Sequence, residues 1–267
     1  MNPYLFKKPS INKLLLFFSI LTLSITLSAG DKKIKVGFYD YGDFYHKGQG
    51  IDKDIIDELA KRTPYIFETQ VLTRARIWHD IEKGNLDMSV SGIQNEQRDQ
   101  FAWFIHYIII KNYAVLRLDK AKDIKNARDF IDNSKLKFGV VRSFKHGEKQ
   151  DQWLNTLKQL KRIEENPSAD IIFQKIGDGN LDAMFSQPPV YSKYIKIFNL
   201  QNKVVIQDWT PGEKGVLHGL ILSKKRFSQK DAQYFYKVIQ DMKKDGTLKR
   251  IYSKYLTEKE VKAALNF

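Results

Sequence analysis

Cysteine is absent from all 267 residues of the sequence. Without it the chain can form no disulfide framework and has neither a thiol nucleophile nor a lipid-anchoring cysteine. The sequence also lacks the Gly-x-Ser-x-Gly, His-Glu-x-x-His and phosphate-binding glycine-loop motifs of common hydrolases, metalloproteases and nucleotide-binding proteins. His106 has no partner histidine at metal-ligand spacing. We therefore expect no metal, no cofactor and no catalytic residue.

Long apolar runs are also scarce, and the one that could matter lies near the start of the chain. It covers the fourteen residues Leu14–Leu27, which is short of the ~20 that a membrane-spanning helix needs. Lys7, Lys8 and Lys13 precede this run, and the small residues of Ser28–Gly30 follow it. The arrangement predicts a cleaved secretory signal peptide over residues 1–30, with a membrane anchor as the alternative. Export without disulfides suits the bacterial periplasm.

Acidic residues are fewer than basic ones. The sequence has 31 aspartates and glutamates and 45 lysines and arginines, which gives a formal net charge of +14. Such a balance could indicate binding to nucleic acid or to an anionic membrane. The basic residues are scattered over predicted helices, however, and no basic stripe is interleaved with aromatic residues. We interpret them as solvated helix faces, and we expect a monomer with no nucleic-acid partner.

Strand and helix patterns alternate after residue 30, which predicts an α/β fold with mainly parallel sheets. The first strand reads KIKVGFY and places Ile34, Val36 and Phe38 on one face. The following segment repeats apolar residues at helical spacing, and Asp52 is the candidate N-cap of that helix.

The tetrapeptide Gly-Asn-Leu-Asp occurs twice, at residues 84–87 and 179–182. Each copy follows a helical pattern and precedes a short strand, MSVS in one case and AMFS in the other. Glycine can take the left-handed conformation that ends a helix, so the repeat predicts two analogous lobes. Ligands of open α/β sheets bind beyond the carboxyl ends of the strands. Those ends here are Ser91-Gly92 and Ser186-Gln187.

The order and spacing of five segments resemble the extracellular solute-binding proteins of family 3, the amino-acid-binding type of ABC import. The segments are GQGIDKDIIDELAKR, IWHDIEKGNLDMSVSGIQNEQRDQFAWFIHY, KFGVVRSFKHG, IGDGNLDAMFSQPPV and GLILSKKRFSQKDAQYFYKVIQDMKKDGTLKRIYSKYL. The resemblance implies a two-lobed, type II periplasmic-binding-protein-like fold with two hinge crossings and a ligand cleft between the lobes. We expect lobe 1 over residues 31–115 and 213–267, and lobe 2 over residues 116–212.

The resemblance also implies a carboxylate site in the first lobe. Family members use a small-residue strand end and an arginine, with a threonine three positions before the arginine. Here Ser91 and Gly92 match the strand end, Arg98 matches the arginine, and Asn95 replaces the threonine. A guanidinium fork can bind both carboxylate oxygens, so all four are predicted ligand contacts. The alternative is a surface ion pair of Arg98 with a neighbouring acidic residue.

Three aromatic residues follow the first strand and are expected at the same ligand-facing edge. They are Tyr39, Tyr41 and Phe44. Their rings could form a wall of the cleft by packing on an apolar or cationic part of the ligand. Packing beneath a loop is the alternative for each.

The second lobe departs from the family pattern. Gln187 stands where amino-acid binders usually place an aspartate that pairs with the ligand ammonium. Arg142 and Ser143 follow the strand KFGVV, where relatives often have Gly-Ser or Gly-Thr. Arg142 is either a second cation of the cleft or a surface residue, and all three positions are candidate ligand contacts. The lost aspartate favours an acid that lacks the amine or a ligand whose amine is masked. The alternative is that another acidic residue, such as Asp43 or Asp182, replaces the aspartate.

These features together predict a periplasmic protein that captures a small carboxylate-bearing ligand for ABC-type import. Its partners would be that ligand and an inner-membrane permease or sensor. One alternative is a periplasmic enzyme of the same fold, similar to cyclohexadienyl or arogenate dehydratases, with Glu96 as an acid–base residue. The other is a ligand-sensing module for a membrane receptor.

Overall fold

The computed structural model describes residues 32–267. The predicted signal peptide, residues 1–30, lies outside the described residues. The strands are β1 (Lys32–Phe38), β2 (Tyr65–Val71), β3 (Met88–Gly92), β4 (Ala102–Ile110), β5 (Tyr113–Arg117), β6 (Phe138–Val141), β7 (Ile163–Asn166), β8 (Ala183–Ser186), β9 (Val204–Gln207) and β10 (Val216–Ser223). The helices are α1 (Ile51–Arg62), α2 (Arg74–Lys83), α3 (Glu96–Asp99), α4 (Ala127–Asp132), α5 (Glu148–Gln159), α6 (Ala169–Gly177), α7 (Pro188–Ile197), α8 (Gln229–Lys244), α9 (Thr247–Tyr252) and α10 (Glu258–Ala264).

The strands form two five-stranded sheets, ordered β2-β1-β3-β10-β4 and β7-β6-β8-β5-β9. We call the first sheet with α1–α3 and α8–α10 lobe 1, and the second sheet with α4–α7 lobe 2. The two-lobed α/β prediction is confirmed. The expectation of mainly parallel sheets is wrong, because β10 runs antiparallel to β3 and β4, and β5 to β8 and β9. These two strands enter their sheets from the links between lobes, without the helical crossover that joins parallel neighbours.

The chain passes between the lobes twice, as predicted. Lys111 and Asn112 join β4 to β5, and residues 208–215 join β9 to β10. The Lys111 ammonium also pairs with the Asp208 carboxylate at 2.6 Å, which ties the two links together. The predicted lobe boundary after residue 115 falls inside β5, and the one after residue 212 falls inside the second link; both remain predictions.

The repeated tetrapeptide occupies matching places in the two lobes. Gly84 caps α2 and Gly179 follows α6, with left-handed φ angles of 77° and 80°. Leu86 and Leu181 are then fully buried, and β3 and β8 begin. Each of these strands is the middle strand of its sheet, so the predicted analogy between lobes is confirmed.

Helix α1 buries its apolar stripe as the helical spacing predicts. The predicted N-cap is wrong, since Gly50 occupies that position and the Asp52 side chain is buried. The Asp52 carboxyl accepts hydrogen bonds from the hydroxyls of Tyr107, at 2.6 Å, and Ser91, at 2.9 Å. Asp52 therefore joins α1 to the carboxyl end of β3. No helix within residues 32–267 is long and apolar enough to cross a membrane.

Candidate functional site

The two lobes face each other across a cleft at the ends of their strands. A cavity of about 290 Å³ lies where loops after β1 and β2 meet loops after β6 and β7, with Asp40 and Arg74 on one side and Ser168 on the other. A second cavity of about 400 Å³ is lined by Arg98 of lobe 1 and Ser143 of lobe 2, among others. Because small ligands bind in such crevices of α/β proteins, the cleft is the candidate site.

Arg98 lies in this cleft and connects the lobes. Its Nη1 donates to the Ile93 carbonyl at 2.6 Å, and its Nη2 donates to the Ser143 carbonyl of lobe 2 at 2.8 Å. The guanidinium carbon lies 3.7 Å from the centre of the Trp78 ring, and the residue is only 6% exposed. Burial, together with the positive charge of Arg74, lowers the pKa of Arg98. Arg98 forms no ion pair with any of residues 32–267.

Gly92 and Asn95 shape the segment that leads from β3 to Arg98. A Cβ atom on Gly92 would lie 2.2 Å from the Ile221 side chain, so only glycine fits at this strand end. Asn95 is the N-cap of α3, and its Oδ1 accepts a hydrogen bond from the Arg98 backbone N–H at 2.9 Å. Capping of this kind satisfies an otherwise unpaired donor. The structure thus gives Asn95 a role in positioning the arginine.

The three predicted aromatic residues form one buried stack. Ring centres are 5.4 Å apart between Tyr39 and Tyr41 and 5.6 Å apart between Tyr41 and Phe44. Phe144 of lobe 2 extends the stack at 5.1 Å from Tyr41, and His218 lies 5.6 Å from Phe44. Aromatic packing at these distances is favourable, so the stack makes an apolar contact between the lobes.

Arg74 begins α2 and is buried beside the same stack. It is 1% exposed, and its guanidinium carbon lies 4.3 Å from the centre of the Tyr39 ring. Nη2 donates to the Ser91 carbonyl at 2.9 Å and Nη1 to the Val90 carbonyl at 3.3 Å. The Nε–H has no hydrogen-bond acceptor within residues 32–267. Ser91 thus contacts Arg74 at the strand end predicted to face the ligand.

Gln187 is the N-cap of α7, where lobe 2 meets β10 of lobe 1, and it is fully buried. Its Nε2 contacts Nε2 of His218 at 2.9 Å. Burial lowers the pKa of His218 to about 3, so its ring is neutral at physiological pH and can accept this hydrogen bond. Among the described residues, Ser186 Oγ, Gln187 Oε1 and His218 Nδ1 have no hydrogen-bond partner. This part of the cleft therefore offers uncharged polar groups.

Arg142, a candidate ligand contact, faces solvent instead of the cleft. Its side chain is 59% exposed, and Nε lies 3.7 Å from the Glu165 carboxylate. Ser143 has a left-handed φ of 63° and contributes its carbonyl to Arg98 while its side chain is exposed. Within residues 32–267 there is no group of three or more histidine, aspartate or glutamate residues that could hold a metal ion.

Sequence reasoning missed Arg74, Phe144 and His218. Arg74 follows the carboxyl end of β2, so the strand-end rule that located Ser91 could also have located it. Phe144 follows β6 in the same way, although nothing local shows that its ring reaches lobe 1. His218 lies on β10, and only the antiparallel pairing of that strand with β3 and β4 brings it to the cleft.

The sequence profile of the bacterial extracellular solute-binding proteins, family 3, matches residues 36–258. The chain belongs to this family. Its two lobes and the cleft between them are thus those of a solute-binding protein. A search of curated proteins found no match to the chain.

Solved structures show the same fold for this family 3 protein. An ancestral arginine-binding protein bound to arginine is similar with a TM-score of 0.71 and 20% identity, covering 84% of this chain and 98% of that one. A structure from work on glutathione import via GshT and the cystine ABC importer TcyBC of Streptococcus mutans has a TM-score of 0.71 and 17% identity, covering 86% and 99%. The ancestral amino-acid-binding protein AncCDT-1, a precursor of cyclohexadienyl dehydratase, has a TM-score of 0.66 and 23% identity, covering 84% and 96%.

Proposed function

We propose that this protein captures a small carboxylate-bearing ligand in the periplasm and delivers it to an inner-membrane ABC permease. The observation that carries the proposal is the buried Arg98 guanidinium, which contacts both lobes without an acidic partner within residues 32–267. A guanidinium has five N–H donors, and Arg98 uses two of them on carbonyls. The others are available to a carboxylate, and closure of the lobes on that ligand is the expected motion.

The same cleft favours an acid without a free α-amine. A buried ammonium needs acceptors, ideally a carboxylate, because an unpaired buried charge is costly. Gln187 supplies only a neutral amide next to the neutral His218 ring. Asp40 lines the smaller cavity, but its carboxylate already accepts from the Tyr194 hydroxyl at 2.6 Å and contacts His46 Nδ1 at 2.8 Å. Two similar structures are ancestral arginine-binding proteins, one bound to arginine and one to glutamine, and Gln187 is where we expect this chain to differ.

Catalysis is the second candidate, because the similar protein AncCDT-1 is described as a precursor of an enzyme. The predicted acid–base residue, Glu96, is exposed at the start of α3. We therefore propose binding without turnover. A sensor could replace the permease as protein partner, and the product of a neighbouring gene would distinguish these roles.

A thermal-shift screen of the purified protein against a metabolite library tests ligand capture. A ligand that binds only the native state, at a hundredfold excess over its dissociation constant, stabilises that state by about 2.7 kcal/mol. We expect carboxylic acids among the compounds that raise the melting temperature, and a smaller radius of gyration by solution scattering when they bind. A screen in which no carboxylic acid raises the melting temperature would contradict the proposal. Conversion of a prephenate-like acid to product would favour the enzyme.

A further inference from the structure

The cleft contains a second buried guanidinium that the carboxylate role of Arg98 does not require. Arg74 is 1% exposed and donates to the carbonyls of Val90 and Ser91 only. Two of its five N–H donors are used in this way. The remaining donors include Nε–H, which has no acceptor within residues 32–267. Arg74 also lines the 290 Å³ cavity between the lobes.

Arg74 and Arg98 are close enough for their charges to act together. Their guanidinium carbons lie 5.0 Å and 3.7 Å from the centre of the Trp78 ring, which limits their separation to about 9 Å. At this range two like charges in a protein interior repel appreciably. Neither arginine forms an ion pair within the described part of the chain. The acidic residues that influence them, Asp52 for Arg74 and Asp151 for Arg98, lie beyond ion-pair distance.

Asp52 forms no ion pair with Arg74 and compensates its charge only in part. Its Oδ1 is engaged by the hydroxyls of Tyr107 and Ser91. Burial also raises the pKa of Asp52 to about 7, so the carboxyl is about half protonated at neutral pH and mostly uncharged below it. Two buried cations with spare donors therefore share a cleft with little compensating charge. Such an arrangement is costly unless an anion enters.

We propose that Arg74 is a second anion-binding residue and that the ligand is a small dianion, a dicarboxylate, held between Arg74 and Arg98. This rests on the proposed function and specifies its substrate class. The planar fork of each arginine suits a carboxylate. Arg74 lines the cavity of about 290 Å³ and Arg98 lines the one of about 400 Å³, so a dicarboxylate would bridge the two cavities. A phosphate monoester offers the same charge and is included in the test below.

Calorimetry with matched acids tests this proposal. The probes are succinate and glutarate, their monocarboxylate counterparts butyrate and valerate, glycerol phosphate, and the zwitterion glutamine. The variants are Arg74→Met, Arg74→Lys and the control Arg76→Met, which changes an exposed arginine on the same helix. We expect a dicarboxylate to bind at least roughly tenfold more tightly than its monocarboxylate, because it pairs with two buried cations. Arg74→Met should abolish that preference, Arg74→Lys should retain part of it, and Arg76→Met should leave it unchanged.

The outcomes separate this proposal from ligand capture itself. Tightest binding of glycerol phosphate would keep the dianion site and replace the dicarboxylate. Equal binding of mono- and dicarboxylates, tightest binding of glutamine, or a preference that survives Arg74→Met in a folded variant would overturn the dianion proposal while ligand capture stands. Binding of none of these probes would also overturn it, and the metabolite screen would then decide ligand capture alone. Circular dichroism and melting temperature establish that each variant folds.

Discussion

The Tyr194 hydroxyl is expected to hold the two lobes together, and Tyr194→Phe removes that hydroxyl alone. In α7 of lobe 2, this hydroxyl donates to the Asp40 carboxylate of lobe 1 at 2.6 Å and accepts from the Gly42 N–H at 3.1 Å. Lys193 adds an ion pair to Asp43 at 2.8 Å. These contacts join the loop after β1 of lobe 1 to α7 of lobe 2, so we expect opening of the lobes to break them.

The size of the effect follows from the two hydrogen bonds that are lost. A hydrogen bond to a charged group contributes about 1.5–3 kcal/mol and a neutral one about 0.5–1.5 kcal/mol. Asp40 is partly exposed, and water replaces both partners in the open form, so we expect a net loss of about 2 kcal/mol from the closed state. Since about 1.4 kcal/mol is a factor of ten, the closed-to-open ratio should fall by roughly thirtyfold.

Solution scattering and calorimetry together detect this change wherever the equilibrium starts. If the ligand-free protein is mostly closed, Tyr194→Phe should increase its radius of gyration. If it is mostly open, the variant should instead weaken the affinity for the ligand found in the screen by roughly thirtyfold, because closure takes part in binding. Tyr191→Phe is the matched control, since it changes a tyrosine of the same helix whose hydroxyl makes no hydrogen bond within residues 32–267.

A variant with the radius of gyration and the ligand affinity of the wild type would refute this reasoning. An equal effect of Tyr191→Phe would show that the aromatic helix face, and not the hydroxyl of Tyr194, determines closure.

Three further predictions concern the cleft. Arg98→Ala should weaken ligand affinity at least about thirtyfold, because breaking a buried, hydrogen-bonded charge pair costs roughly 2–5 kcal/mol. The control, Arg142→Ala, changes an exposed arginine and should leave the affinity unchanged. Wild-type affinity of Arg98→Ala by calorimetry would exclude a contact between Arg98 and the ligand. Gln187→Asp should improve amino-acid binding relative to the natural ligand, and sub-micromolar binding of a free α-amino acid by the wild type would contradict our interpretation of this position. Burial raises the pKa of Asp52 from 3.8 to about 7, so between these pH values the folded state keeps a proton that the unfolded state releases. The free energy of unfolding should therefore fall as pH rises from about 4 to 7 and level off above that range. Asp52→Asn should remove that part of the pH dependence, which has a limiting slope of about 1.4 kcal/mol per pH unit. Denaturant unfolding of both proteins at pH 5 and pH 7.5 measures it. The same difference in unfolding free energy between the two proteins at both pH values would argue against this prediction.

The amino-acid sequence by itself determined the class of this protein and the edge of the sheet where its site lies. Apolar periodicity and turn chemistry are properties of neighbouring residues, so the alternation of strands and helices could be predicted from them. The left-handed glycines of the Gly-Asn-Leu-Asp repeat are local in the same sense. Because parallel strands align their carboxyl ends, Arg98 could be placed near the cleft before any tertiary contact was known.

Only the tertiary structure decided which side chains meet across the cleft. Gln187 contacts His218 through an antiparallel strand that returns from the other lobe, and Tyr194 reaches Asp40 from 154 positions away in the chain. No local pattern records such pairs, since they depend on how two separately folded sheets face each other. The same holds for the outward direction of Arg142 beside Glu165. Strand periodicity assigns a residue to a face of its own sheet, and the partner across the cleft is determined by the packing of the two lobes.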